Sequence, residues 1–179
     1  QSVIITGLDE TFTQVQETLV TAGASASAPS VTTFIRILTA KVVSVGTYTG
    51  SNVGDIQIET TSTLAVIANL GAVVGRTQLS QYTIPAGKTG YMQGIAVGVD
   101  SNKVVDLYLY ERYNADDTTG PTYSTKRILN RFVGVAGTIT IQVNSAIVLP
   151  EKTDVWFAAI TSVGSSKVSV NYSIILIDN

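Results

Sequence analysis

The stretch from Thr83 to Met92 reads TIPAGKTGYM and contains the letters GKT, which end a phosphate-binding loop. Such a loop needs a further glycine five residues before the glycine of GKT, because its backbone N–H groups curl around the phosphates. The residue five positions before Gly87 is Tyr82. After Gly90 the alternation of residue types and the β-branched side chains are typical of a strand and not of the start of a helix. We therefore interpret GKT as turn chemistry and favour a turn over a nucleotide site.

The chain contains no His and no Cys, which removes Ser-His-Asp and Cys-His nucleophilic sites and the commonest zinc sites. Glycoside hydrolysis needs only two carboxylates that face a sugar. Asp106 and Glu111 flank a tyrosine-rich stretch, but their strand parity predicts that they point to opposite faces. We expect no catalytic residue, no metal and no cofactor, and we keep a carboxylate-dependent glycosidase as a third, distant alternative.

Residues 114–120 read NADDTTG and gather oxygen atoms of the kind that calcium accepts. Their spacing does not match an EF-hand. Asn, Asp, Thr and Gly are also the residues from which hairpin tips are built. We favour a solvated hairpin tip over a calcium site.

Aromatic and basic side chains are the remaining candidates for a contact surface. Residues of the same parity in 107–113 should share one face of a strand, and exposed aromatic rings beside an arginine could stack on a sugar or anchor a protein interface. The only basic cluster could pair with acids across a subunit boundary. The alternative is that the rings line a sheet wall and the cations decorate the surface. The candidate contact residues are Tyr108, Tyr110, Arg112, Lys126, Arg127 and Arg131, with Tyr113 and Tyr123 nearby.

The composition predicts an all-β protein that is covered by other protein. The 24 Thr, 23 Val and 17 Ile make up more than a third of the 179 residues, and β-branched side chains suit a pleated sheet. Only 13% of the residues are charged, compared with about 25% in typical soluble domains. Because such a surface is weakly protected against association, we expect a homo-oligomer or a protein partner. The net charge of −2 predicts no nucleic-acid partner and no membrane partner.

Short alternating runs between turn clusters predict a single antiparallel β-sandwich domain of jelly-roll type over residues 1–179. The segment 62–80 favours a loop or irregular strand. The apolar end of the last strand, residues 174–177, is expected to be covered, and another subunit could cover it. The predicted strands lie near residues 2–6, 11–21, 31–46, 55–61, 78–84, 89–99, 103–113, 122–134, 138–148, 154–162 and 167–177.

One motif occurs twice. Residues 84–92 read IPAGKTGYM and residues 149–157 read LPEKTDVWF, and both run from an apolar-Pro pair through Lys-Thr to an aromatic residue followed by Met or Phe. Proline ends an incoming strand because it cannot donate to the ladder. The repeat predicts one structural device used twice, a turn that leads into a strand.

Several segments resemble, in order, a group of virion structural proteins from marine tailed bacteriophages. The resemblance is strongest in the first half of the chain. No catalytic residue is carried over by this resemblance. The segments that carry it are Gly7 to Asp9, Val15, Glu17 to Thr18, Phe34 to Ile37, Gly50 to Ile56 and Tyr82 to Thr89.

The resemblance implies a component on the outside of a phage particle, in particular a head decoration protein that binds the major capsid protein or other virion proteins. The composition agrees with a structural, non-enzymatic part. The alternative function is a head or tail fibre module that recognises host glycans through Tyr108 and Tyr110.

Overall fold

The computed structural model describes residues 1–46, 51–100, 102–117, 124–141, 145–161 and 164–179. These residues form thirteen strands and no helix, and every strand pairing is antiparallel. The prediction of an antiparallel all-β protein is confirmed. The strands are β1 (Ser2–Leu8), β2 (Gln14–Val20), β3 (Arg36–Ser44), β4 (Ile56–Glu59), β5 (Val66–Leu70), β6 (Gln81–Thr83), β7 (Lys88–Val99), β8 (Val105–Arg112), β9 (Arg127–Val135), β10 (Thr138–Ile141), β11 (Ile147–Leu149), β12 (Asp154–Thr161) and β13 (Val168–Asp178).

The chain forms two compact units, Gln1–Leu79 and Ser80–Asn179. The first unit contains a three-stranded sheet in the order β2-β1-β3 and the hairpin β4-β5. Val3, Ile5, Ala40 and Leu70 are the buried residues of its core. The expectation of one domain over residues 1–179 stays a prediction.

Two acidic side chains from the segments that carry the resemblance organise turns in the first unit. Asp9 Oδ1 accepts hydrogen bonds from the backbone N–H groups of Thr11 (2.8 Å) and Thr13 (3.0 Å). The Glu17 carboxylate accepts hydrogen bonds from the N–H groups of residues 31 and 32, at 2.9 and 2.7 Å. The Thr11 hydroxyl also donates to Asp9 Oδ1 at 2.7 Å, and this bond, followed by the two backbone bonds, lowers the pKa of Asp9. The bonds from residues 31 and 32 lower the pKa of Glu17, because they favour the charged carboxylate.

A single buried amide connects two segments of the first unit. The side-chain N–H₂ of Asn52 donates to the carbonyl oxygens of Gly54 (2.7 Å), Leu70 (3.2 Å) and Gly71 (3.0 Å). Its side-chain oxygen accepts a hydrogen bond from the N–H of Gly75 at 3.0 Å. Buried polar groups are costly unless they are hydrogen-bonded, so Asn52 stabilises both segments together.

The second unit contains two four-stranded sheets. In the first of them, β7 pairs with β13 along one side and with β10 and β11 along the other. The second sheet has the order β6-β12-β8-β9. Both sheets contribute to one hydrophobic core, because β7 on one sheet and β8 and β12 on the other supply most of its buried side chains. The buried core residues are Ile84, Met92, Ile95, Val97, Val99, Val105, Leu107, Leu109, Val135, Leu149, Val155 and Phe157.

The two copies of the repeated motif form turns that bind each other. The N–H of Ile84 donates to the carbonyl of Thr153 (2.9 Å), and the N–H of Lys152 donates to the carbonyl of Ile84 (2.8 Å). Gly87 has a φ of 72°, a left-handed conformation that glycine adopts without steric cost. One turn leads into β7 and the other into β12. The interpretation of GKT as part of a turn before a strand is therefore confirmed.

Several predicted strands are shorter in the structure, including the second and the third. The second strand begins at Gln14 and not at residue 11, because the turn centred on Asp9 occupies the residues before it. The third begins at Arg36 and not at residue 31. The predicted strand 122–134 corresponds to β9, which begins at Arg127, and residues 122 and 123 lie outside the described residues.

The segment 62–80, for which the sequence favours a loop or irregular strand, contains the strand β5, which pairs with β4 with a register shift between Ile58 and Glu59. One other segment differs in kind from the prediction. The predicted strand 138–148 is two strands, β10 and β11, and both pair with β7 at successive positions. Residues 142–144, within that predicted strand, lie outside the described residues. The long β7 therefore supports two short strands where the sequence favours one.

Candidate interaction surface

Strand β8 places the predicted contact residues on one face of its sheet. Its residues alternate between buried and partly exposed along the whole strand. The odd-numbered residues face the core, and Tyr108, Tyr110 and Arg112 face outward. The predicted shared face of these three side chains is therefore confirmed. Tyr123 lies outside the described residues.

Three aromatic rings form a stacked row on this outer face. The ring centroids of Tyr108 and Tyr110 are 5.9 Å apart, with 17° between the ring planes. Tyr110 pairs across the strands with Trp156 of β12, and their centroids are 5.4 Å apart with 16° between the planes. Offset stacking of this kind contributes roughly 0.5–1.5 kcal/mol per pair beyond the area that it buries. Tyr110 is the middle ring of the row.

Basic side chains lie over the rings. The Lys126 Nζ is 5.2 Å from the centroid of Tyr110, and the Arg131 guanidinium carbon is 5.2 Å from the centroid of Tyr108. A cation over a ring face is attracted by the negative charge of the π system. The pairing of β9 with β8 therefore brings two residues of the predicted basic cluster, Lys126 and Arg131, to the predicted tyrosines.

Arg131 also forms an ion pair within the chain. Its guanidinium donates to Asp106 Oδ2 at 2.8 Å, and Asp106 Oδ1 accepts the N–H of Gly134 at 3.0 Å. The hydrogen bond from Arg131, followed by that from Gly134, lowers the pKa of Asp106. The same bond to Asp106 raises the pKa of Arg131. Arg131 therefore contacts both Asp106 and Tyr108 and holds them in position.

Arg127 pairs with a carboxylate on the other face of the sheet. Glu111 is only 1% exposed and points inward, and its Oε1 forms an ion pair with the Arg127 guanidinium. The hydrogen bond to Glu111 raises the pKa of Arg127. The predicted opposite orientation of Asp106 and Glu111 is confirmed, so the two carboxylates do not face a common substrate.

Tyr113 lies beside this ion pair. The Arg127 guanidinium carbon is 4.6 Å from its ring centroid. Burial, followed by the negative charge of Glu111, raises the pKa of Tyr113. Arg127 therefore contacts a different ring from Lys126 and Arg131. It lies beside the end of β8 and not over the stacked row.

Arg112 forms hydrogen bonds with the chain that follows β8. Its Nε donates to the carbonyl of Ser124 at 3.1 Å, and its second guanidinium nitrogen donates to the carbonyl of Asp117 at 3.0 Å. In the same segment, Asp116 forms an ion pair with Lys152 at 2.7 Å, and this bond lowers the pKa of Asp116. Residues 118–120 of the predicted hairpin tip lie outside the described residues.

Apolar side chains flank the aromatic row. Ile128 of β9 pairs with Tyr110 and is 56% exposed, and Ile160 of β12 pairs with Asp106 and is 58% exposed. These exposed isoleucines lie on the same face of the sheet as the stacked rings, and exposed apolar side chains grouped on one face are typical of contact sites. We call this surface the aromatic face. Its members are Tyr108, Tyr110, Lys126, Ile128, Arg131, Trp156 and Ile160.

Three members of the aromatic face, Ile128, Trp156 and Ile160, are not among the candidate residues, and Trp156 is the aromatic one of the three. The sequence places it on a strand, in the second copy of the repeated motif. It does not show which strand is the partner, or in which register the two strands pair. Trp156 reaches the tyrosines because β12 pairs with β8 residue by residue, from Asp154 opposite Arg112 onward. The alternation of β12 was the available signal, since Phe157 is buried and its neighbour must face outward.

No three His, Cys, Asp or Glu side chains come together to form a metal site within the described parts of the chain. The described residues also contain no helix that is long and apolar enough to cross a membrane. Comparisons with models of known protein families, with curated proteins and with solved structures each give no match.

Proposed function

We propose that this chain is a non-enzymatic structural protein of a tailed phage particle, a decoration or cement protein that binds the outside of the head in many copies. The proposed architecture is a β-sandwich of jelly-roll type. Three observations support the proposal: the resemblance to virion proteins, the low content of charged residues, and the aromatic face. The aromatic face is the observation that carries it.

The aromatic face has the composition of a protein contact site. Tyr, Trp and Arg are enriched at the energetically dominant positions of protein interfaces. Here Tyr110 is held between two other rings, and Arg131 is held by Asp106. Side chains that are already ordered lose little conformational entropy when a partner binds. The face is therefore ready for binding without rearrangement.

The partner should match this face in shape and charge. The outer face is apolar at Ile128 and Ile160, and within the described residues Lys126 forms no ion pair. An apolar surface on the shell with an acidic residue opposite Lys126 would be complementary. The major capsid protein, or another protein exposed on the virion, is the partner that we propose.

The proposed mechanism is binding linkage. A protein that binds the assembled shell and not its separated subunits stabilises the shell in proportion to its occupancy. Many weak contacts repeated over a lattice would then resist expansion and leakage. No step of this mechanism makes or breaks a covalent bond.

The alternative, a fibre module that recognises host glycans, has less support from the geometry. A sugar stacks on the open face of an aromatic ring. The faces of Tyr110 are covered by Tyr108, Trp156 and Lys126, and Arg131 lies over Tyr108. A sugar that stacked on Tyr108 or Tyr110 would have to compete with these neighbours, so the row is better suited to contact through its edges.

The direct test is binding of the purified protein to empty shells of the parent particle that were assembled without it. We expect saturation at a stoichiometry set by the shell lattice. Trp156→Ala should weaken this binding by about thirtyfold or more, since central aromatic anchors contribute about 2 kcal/mol or more. Tyr91→Ala, a partly exposed tyrosine on the other sheet of the second unit, is the matched control and should change binding less than about threefold.

Fluorescently labelled protein incubated with host cells separates the two functions. A decoration protein should leave cells unlabelled. Labelling that disappears in the double variant Tyr108→Ala, Tyr110→Ala would support the glycan alternative and contradict our proposal. Absence of the protein's density from imaged heads would contradict it as well.

A further inference from the structure

Strand β13 forms a long edge of its sheet. It has eleven residues, and within the described part of the chain β7 is its one partner strand. Strand edges present unpaired backbone N–H and C=O groups, which are a template for pairing with another chain. The free side of β13 therefore offers hydrogen-bonding groups along its whole length.

Hydrogen bonds at both ends of β13 show which residues face this free side. The N–H of Asn179 donates to the carbonyl of Gly87 at 3.0 Å, and the carbonyl of Lys167 accepts the N–H of Asp100 at 3.2 Å. Because the two backbone groups of a residue in an antiparallel strand point to the same side, odd-numbered residues face β7. The even-numbered residues, whose side chains face the core, direct their N–H and C=O groups away from β7. They are Val168, Val170, Tyr172, Ile174 and Leu176.

The hydrophobic core is open along this side. The even-numbered side chains of β13 pack against the core but stay partly exposed. On the neighbouring strand β7, by contrast, Met92, Ile95 and Val97 are at most 1% exposed. A strand added beside β13 would cover the partly exposed row, and burial of apolar surface favours that addition by about 25 cal/mol per Å².

The other edges of the second unit carry protection that β13 lacks. Natural sheets protect edges with charged side chains or keep edge strands short. In the second sheet, the edge strand β9 carries Arg127 and Arg131, and β6 has only three residues. No Lys, Arg, Asp, Glu or Pro occurs in β13 before Asp178. This edge is therefore suited to pairing.

A second copy of the same strand is a suitable partner for β13. Asp178 is the one charged residue of the strand, and it forms an ion pair with Lys88 of β7, so two antiparallel copies bring no like charges opposite each other. The apolar rows of the two copies also match, because the same residues face the same side when a two-fold axis relates the copies.

We infer that β13 is the contact along which a second copy of this chain adds its own β13, antiparallel and about a two-fold axis. The two sheets then form one continuous sheet through the dimer. This contact uses the sheet opposite the aromatic face in the second unit, and it does not require binding to a shell. The inference can therefore fail while the proposed function holds, and the reverse is also true.

The first experiment measures mass in solution by sedimentation. At about 0.1 mM, a contact with a Kd near 10 µM is mostly formed, and the protein should sediment as a dimer. Ile174→Pro removes an N–H on the free side and leaves the ladder with β7 intact, so it should sediment as a monomer. The control Ile174→Val keeps the N–H and should stay dimeric. Circular dichroism and the melting transition report whether each variant is folded.

The second experiment uses single cysteines, since the chain has none of its own. Odd-numbered residues of β13 would form non-hydrogen-bonded pairs across the new contact, with Cα atoms about 4.5 Å apart, which is within the range of a disulfide. Asn171→Cys, Ser173→Cys and Ile175→Cys are tested singly and in pairwise mixtures, and at least one of these combinations should form a cross-linked dimer on oxidation, according to the position of the axis. Ile160→Cys on β12 is the exposed control and should not.

A dimer that is lost in Ile174→Pro and cross-links through β13 supports the inference. A wild-type protein that remains a monomer at 0.1 mM overturns it. A dimer that cross-links only through Ile160→Cys also overturns it. If Ile174→Pro fails to fold, the cysteine scan decides the question alone.

Discussion

Strands β9 and β13 are both long edge strands of the second unit, but their edges differ in charge. Arg127 and Arg131 of β9 form ion pairs with acids of the neighbouring β8, and these charges also protect the edge against other strands. β13 is uncharged up to Asp178 and leaves the core partly open. We infer that the arginines of β9, whose ion-pair partners lie in the same chain, stabilise the fold. The edge of β13, which pairs with β7 alone among the described strands, contributes to association instead.

The largest effect on stability is expected where the core is closed. Leu109 of β8 is fully buried, so Leu109→Ala should reduce the free energy of unfolding by about 2–5 kcal/mol. Leu176→Ala removes the same atoms from the partly exposed row of β13 and should cost less, about 1–2 kcal/mol. Urea denaturation of both variants measures the two values. Equal losses would show that the core is as closed at β13 as it is at β8.

Alkaline pH should lower the free energy of unfolding through Tyr172 of β13. Burial raises the pKa of Tyr172 to about 12 from an ordinary value of 10. The unfolded chain therefore loses this proton near pH 10 while the folded protein keeps it, so stability is unaffected below pH 10 and falls as the pH rises from 10 towards 12.

Tyr172→Phe should make this alkaline loss shallower. Denaturant unfolding at several pH values between 8 and 11 measures the slope. A smaller slope should remain, since burial also raises the pKa of Tyr82. An unchanged slope in Tyr172→Phe would contradict the assignment.

Acidic pH should slightly destabilise the fold by weakening the ion pair of Arg131 in β9 with Asp106. This is the smallest of the expected effects on stability. The pKa of Asp106 lies below its ordinary value of 3.8, chiefly because Arg131 donates a hydrogen bond to it. Its stabilising contribution is therefore present above about pH 4 and is lost as the pH falls through the lowered pKa. Asp106→Asn should be slightly less stable than the wild type at pH 7 and equal to it at the acidic end. A difference that persists unchanged in acid would indicate that packing, and not charge, is responsible.

Much of the strand pattern could be predicted from the sequence, because alternation is a local property. The faces of Tyr108, Tyr110 and Glu111 follow from parity alone. In the strand beginning at Thr138, Ile139 and Ile141 are the less exposed residues, as their alternation predicts.

The remaining features depend on contacts between distant segments. Trp156 joins the tyrosine row only through the register of β12 on β8, and β5 forms because β4 is available as its partner. Both β10 and β11 pair with β7, which is distant from them in the sequence. Local propensity does not contain this information, since packing against neighbours decides strand formation at marginal segments.

The position of β13 in the chain has a consequence for biosynthesis. The central strand β7 pairs with β13 through contacts that reach 90 residues along the chain, as between Lys88 and Asp178. Long-range pairing of this kind is slow, and apolar strands wait exposed until it is complete. While the ribosome is still adding residues 168–178, β7 and the core-facing side of β8 have no cover on that side. The second unit should therefore fold only after residues 168–178 have been added, and until then the newly made chain depends most on chaperones.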